Sequence, residues 1–272
     1  MAMSHEEAEE VLSSSLFSLY SLSPITLSSA GALFTYHSPD PTISNITVRT
    51  PDTEAANWSL HASSVWAASR FIADHLDALD IPSHLTHCPD GKQLKLLELG
   101  AAAGLPSIVL AKKHPGISVT VSDYPDEDIV RTLLLNVSSN GVAANCRAVP
   151  YAWGSDPAAL FPLHGDDEKF DVVFAADTLW NSDFHSLFID ALQLTLKKSP
   201  HARVYLFAGL HTGRYTIQSF LTAVSNAGFA VDTALERETN GNQQRVWSVE
   251  RAEGEDENER RRWIVCLSLR WK

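Results

Sequence analysis

The chain has 272 residues, with 21 Lys+Arg against 33 Asp+Glu, a formal net charge of −12, 44% hydrophobic residues and 20% charged ones. That length and apolar share suit one large α/β domain, or at most two small ones, and exclude wholesale disorder, collagen and coiled coils. An acidic surface repels phosphate backbones, which argues against generic nucleic-acid binding, and attracts a basic protein segment.

In chain order, residues 1–57 read as a Ser-, Thr- and Pro-rich arm, partly irregular, with one helical stripe at Leu12, Leu16, Leu19 and Tyr20. The functional domain is expected over residues 58–272. Val65, Trp66, Phe71, Ile72, Leu76 and Leu79 recur at helical spacing, and Pro82 with the polar stretch to Gly91 ends that helix. Strands are predicted over Leu94–Leu99, Ile117–Asp123, Cys146–Ala152, Phe170–Ala175 and Ala202–Ala208. Helices alternate with them over Leu105–Lys113, Asp128–Ser139, Phe184–Lys197 and Thr216–Ala227. Such alternation implies right-handed crossovers and a mostly parallel sheet with helices on both faces. The last two strands, around Arg245–Val249 and Trp263–Trp271, are joined without a helix and are expected to form an antiparallel hairpin at one edge. The charged stretch Glu250–Arg262 between them reads as a solvated loop.

The sharpest local feature is Leu97-Glu98-Leu99-Gly100-Ala101-Ala102-Ala103-Gly104-Leu105-Pro106. Small residues at a strand-to-helix turn let backbone N–H groups approach a ligand closely. The glycines stand four apart with no third glycine, so the dinucleotide fingerprint is missing, and no Gly-Lys-Ser/Thr makes a phosphate loop. Glu98 precedes the turn and Asp123 ends the next strand. Carboxylates there repel phosphates and suit a cationic ligand with an amino group and ribose hydroxyls, such as S-adenosyl-L-methionine.

At this point the chain resembles a class I, seven-strand methyltransferase with a Rossmann-like sheet. Within that superfamily it is similar to the lysine methyltransferase-like group, in particular its fungal nicotinamide N-methyltransferase-like branch, which includes elongation-factor methyltransferases. The likeness rests on the Trp66 helix, the Gly100–Gly104 turn, Ser122-Asp123-Tyr124-Pro125-Asp126, Trp153-Gly154, and Asp177-Thr-Leu-Trp180-Asn181-Ser-Asp-Phe-His185. It departs from the family pattern at Ala102, where a glycine is usual, at Ala152, and at Trp180 in place of Tyr or Phe. The resemblance implies a cofactor site of Trp66, Glu98, Gly100, Ala101, Ala102, Gly104, Asp123, Tyr124, Trp153 and Ala176. It places Asp177, Trp180, Asn181 and His185 at the catalytic end.

Residue chemistry supplies competing roles. Asp177 is expected either to orient an acceptor amine or to cap the helix after it. Trp180 can wall a developing cation with its π face. His185 is either a substrate contact or a residue in the first turn of a helix. His211 and Arg214 are candidates for an acceptor mouth. The function expected is S-adenosylmethionine-dependent N-methylation of a protein lysine or N-terminal amine. A small-molecule N- or O-methyltransferase, and a catalytically weak scaffold or signalling subunit within a protein complex, are the alternatives. No run of about eighteen apolar residues predicts membrane insertion. Acid at Glu6, Glu7, Glu9 and Glu10 argues against a secretory leader. Cys88, Cys146 and Cys266 are widely spaced, which predicts reduced thiols, no metal site and a cytoplasmic or nuclear location.

Overall fold

The computed structural model describes residues 24–53, 55–161 and 169–272; the stripe at Leu12, Leu16, Leu19 and Tyr20 lies outside them. Along the central strands successive side chains face opposite ways, and the apolar residues divide accordingly into two cores. Strands β3 (Lys95–Leu99), β4 (Ser118–Asp123), β5 (Cys146–Pro150), β6 (Val172–Ala176) and β7 (Arg203–Gly209) run parallel. Leu96, Val172, Phe174 and Phe207 pack on one face, and Leu97, Val173, Ala175 and Leu206 on the other. Strands buried on both sides read as continuous apolar runs, which is how β6, Val-Val-Phe-Ala-Ala, and most of β7 appear in the sequence.

The first face is covered by α1 (Ala67–Asp74) and α3 (Leu105–Lys113), and α4 (Glu127–Ser139) adds Leu133 and Val137 to the same core. The second is covered by α5 (His185–Thr195) and α6 (Arg214–Asn226). The predicted helix over 65–79 is shorter than expected. It stops at Asp74, a 3-10 turn follows over Leu76–Leu79, and Asp80 takes a left-handed conformation (φ 45°). Pro82 does not end the helix but sits in the first turn of α2 (Ile81–Thr86), where a missing N–H costs nothing.

The strand order is β5-β4-β3-β6-β7-β10-β8-β9, with β8 Phe229–Glu238, β9 Gln244–Val246 and β10 Trp263–Trp271. This corrects the expected terminal hairpin and makes the sheet eight-stranded. The last strand pairs antiparallel with both β7 and β8, while β9 pairs with β8 at the edge. Trp263, Ile264, Val265, Leu267 and Leu269 are all buried, so β10 is apolar on both faces and takes an interior place. Gln244, Arg245 and an exposed Val246 suit an edge.

The arm also carries structure. β1 (Leu33–Tyr36) and β2 (Ile46–Arg49) form an antiparallel pair. The buried Asn136 of α4 exchanges hydrogen bonds with the Arg49 backbone, receiving N–H at 2.8 Å and donating to C=O at 2.8 Å. The chain leaves β3 towards β4 and β5, then returns to β6 on its other side. That reversal opens a crevice at the carboxyl ends of β3 and β6.

Candidate active site

A cavity of about 340 Å³ occupies this crevice. Asp123, Trp153, His61, Trp66, Asp177 and Trp180 are among the residues that line it. Its described lining contains no Lys or Arg. Phosphate is therefore a poor occupant, and a ligand carrying positive charge is a good one.

The turn after β3 is shaped by backbone demands. Gly100 has φ 69°, and a Cβ there would lie 2.9 Å from Thr178 Cγ2 and 3.3 Å from Trp153 Cζ2, so only glycine fits. Ala102 is also left-handed, at φ 49°. Its N–H donates to Asp123 Oδ2 at 2.6 Å, and the Tyr124 N–H donates to Oδ1 at 2.6 Å. Burial pushes the Asp123 carboxyl up to about 6 against the opposing pull of those two N–H groups. Glu98 lies in a small adjoining recess with Ala101, Ser64 and Ser69; Trp66, Gly100, Ala102 and Ala176 border both spaces. Its Oε2 accepts from the Ser107 N–H at 3.2 Å and from the Ser107 hydroxyl. Burial pushes it up to about 8, with Ser107 pulling down and the Asp123 charge adding a smaller upward push. The two acidic side chains thus border adjoining spaces at one end of the sheet. Tyr124 lines the cavity while remaining partly exposed. Gly104 does not line it; Gly104 stands behind the turn, opening α3 at φ 74°.

Asp177 lines the cavity, and it is not the cap of the helix that follows it in sequence. Oδ1 accepts the Gly209 N–H at 2.7 Å and Oδ2 the Ala68 N–H at 3.1 Å. The carboxylate therefore ties the end of β6 to β7 and caps α1, not the helix that follows it in sequence. Burial raises its pKa, opposed by the neighbouring His211. Asn181 and His185 are not brought to the cavity. Asn181 Oδ1 caps the 3-10 turn Ser182–Phe184 through the Asp183 N–H at 3.0 Å. His185 is buried, with Nε2 3.0 Å from the Leu179 carbonyl and its ring edge-on to Phe220. Arg214 is no acceptor-mouth residue; it is buried between Glu236 and Glu255. His211 stacks on Trp66, with ring centroids 5.2 Å apart.

Sequence reasoning missed the strap over the cavity, residues 55–62. It contributes Asn57, Ser59, Leu60, His61 and Ala62 to the lining. Asn57 Nδ2 donates to Asp126 Oδ2 at 2.6 Å, and the Trp66 indole N–H donates to the His61 carbonyl at 2.8 Å. Among the described residues four non-glycines have left-handed φ, and three of them, His61, Ala102 and Asp177, line this cavity. Backbone strain concentrated at one cavity is the mark of a functional site.

Residues 53–227 match the family model described as lysine methyltransferase. The chain belongs to the lysine methyltransferase family. It is 30% identical to the Neurospora crassa protein N-terminal and lysine N-methyltransferase efm7, over 74% of each chain. It is 32% identical to the Schizosaccharomyces pombe protein of the same name, over 65% of this chain and 68% of that one. The Emericella nidulans protein of that name is 28% identical over 78% of this chain and 81% of its own length. As a methyltransferase of this family the chain uses S-adenosylmethionine as methyl donor, and the residues present fit it. The cavity lacks lysine and arginine, Asp123 and Glu98 offer acceptors for hydroxyl and amino groups, and Gly100 keeps the turn free of a side chain beside Trp153.

Proposed function

We propose that this methyltransferase acts on a protein amine, either a lysine ε-amine or the α-amine of a chain terminus. The observation that carries the reading is one cavity with two buried acidic side chains, Asp123 and Asp177, and no lysine or arginine on its described walls, where the His61 imidazole stands edge-on to the Trp66 and Trp180 indoles. Relatives whose names specify protein N-terminal and lysine methylation support it, as does the acidic net charge, which favours a basic substrate segment.

Bound S-adenosylmethionine supplies an electrophilic methyl group on a sulfonium, which departs as a neutral thioether. The acceptor amine would have to arrive neutral, take the methyl as the donor's carbon–sulfur bond breaks, and give one proton to water. The protein's part is chiefly to hold the nitrogen in line, since no acid is needed to expel the leaving group. Asp123 and Glu98 would hold the donor's hydroxyls and amino group. Trp66 and Trp180 would wall the amine and favour the positive charge that develops on nitrogen. Asp177 acts by fixing α1, and with it Trp66, against the ends of β6 and β7.

The test is incubation with methyl-labelled donor and a fungal lysate. A discrete labelled protein band is expected, and Asp123→Ala should reduce it by about tenfold or more through weakened donor binding. Label recovered only in small molecules would overturn the protein-substrate reading.

A further inference from the structure

Beyond the methyl donor site, the acceptor end has a wall that no sequence motif announces. His61 ends the strap 55–62, lies at the surface, and lines the cavity. Its ring stands edge-on to Trp180, with centroids 4.7 Å apart and planes at 86°, and edge-on to Trp66 at 6.0 Å and 88°. Its carbonyl is held by the Trp66 indole N–H, and the strap's other end is held by Asn57 on Asp126. The backbone that carries the imidazole is thus held at two points, and the ring itself rests against the two indoles. Asp177 accepts one backbone N–H at each oxygen and lines the same cavity, and the ring walls beside it set the shape that an entering amine must fit.

We propose that His61 is a specificity-determining residue whose ring narrows the acceptor end, favouring a lysine ε-amine on its unbranched stem over the branched α-amine of a chain terminus. This rests on the protein-amine reading above. A lysine amine is followed by four methylenes, whereas an α-amine is attached to a carbon already carrying a side chain and a carbonyl. An aromatic wall separates such shapes by steric exclusion, and small differences in the volume left to a substrate change selectivity by about tenfold or more.

The test uses the full-length protein and one synthetic peptide with a free N-terminus and a single lysine. Methylated positions are located by mass spectrometry, so the ratio of α-amine to ε-amine product is independent of how much enzyme is active. His61→Ala is expected to raise that ratio by about fivefold or more, and His61→Phe, which refills the wall, to keep it within about twofold of the unaltered protein. An unchanged ratio in His61→Ala, with the unaltered protein active on the peptide, overturns the proposal. If His61→Ala gives no product, His61→Gln replaces it with the same expectation, and an unchanged ratio there overturns the proposal equally. Failure of the unaltered protein to methylate either amine of any such peptide would overturn the protein-amine reading itself, and this inference with it.

Discussion

Ala102 holds a left-handed backbone at φ 49°, a conformation that places its Cβ against its own carbonyl and that glycine adopts freely. The constraint comes from Asp123, which must receive the Ala102 N–H. Ala102→Gly should therefore relieve strain and stabilise the protein by about 0.5–1 kcal/mol in urea denaturation, after allowance for the greater freedom of unfolded glycine. Glu98 stores a different cost. Its carboxyl sits at about 8 when folded, against an ordinary 4.5, because burial disfavours its charge. The folded state binds this proton more tightly than the unfolded chain does, so stability from this group is fully present below about pH 4.5 and is lost as pH rises through about 8. Glu98→Gln, which keeps an oxygen for Ser107, should raise the melting temperature clearly at about pH 9 and little at about pH 4. Thermal melts at the two pH values check this, and equal shifts at both would refute it.

Elements are held in place by single polar residues as much as by apolar area. Asn136 closes β2 onto α4 by exchanging two hydrogen bonds with Arg49, and its amide also donates to the Ala103 carbonyl at 2.9 Å. One side chain thereby joins the arm, α4 and the cofactor turn. Asn136→Ala leaves three backbone groups without these partners and should cost about 2–3 kcal/mol in chemical denaturation. The strap 55–62 has the same character, since its position over the cavity depends on Asn57 and on the Trp66–His61 bond. This is why an arm that reads as irregular in sequence carries a hairpin and leads directly into the wall of the site.

At the scale of the whole molecule, the charged stretch expected to be solvated is instead a clasp. It contains a 3-10 turn, Val249–Glu253, and α7, Glu257–Arg261. Arg214 of α6 donates to both oxygens of Glu236 on β8, at 2.6 and 2.8 Å, and to Glu255, with the Arg214 and Glu236 side chains wholly buried. Arg245 of β9 and Arg251 also bind Glu236, at 2.8 and 2.7 Å. Burial pushes the Glu236 carboxyl up, but hydrogen bonds from Arg214 and Arg245 outweigh it and hold the group below its ordinary range. Its contribution is present above the ordinary carboxylate value and is lost as pH falls through the lowered one. Glu236→Ala leaves a buried guanidinium short of a partner and should destabilise by about 3–5 kcal/mol in urea denaturation near neutral pH.

The parallel strands, their order of appearance with the helices, and the turn from Glu98 to Gly104 were legible in the sequence. Apolar runs, helical spacing and the demand for small residues at a close backbone approach are local properties. So was the cationic, phosphate-free character of the ligand, because Glu98 and Asp123 stand at strand ends that any parallel sheet brings to one edge. Other features required the folded chain. β10 displaces β9 from the neighbourhood of β7 only because burial is settled among all competing strands at once. Asp177 caps α1 and His185 turns away from the cavity because their hydrogen-bond partners lie on other elements or across a turn. His61 reaches Trp180 from more than a hundred residues upstream, and a contact between distant segments leaves no period or spacing in the sequence.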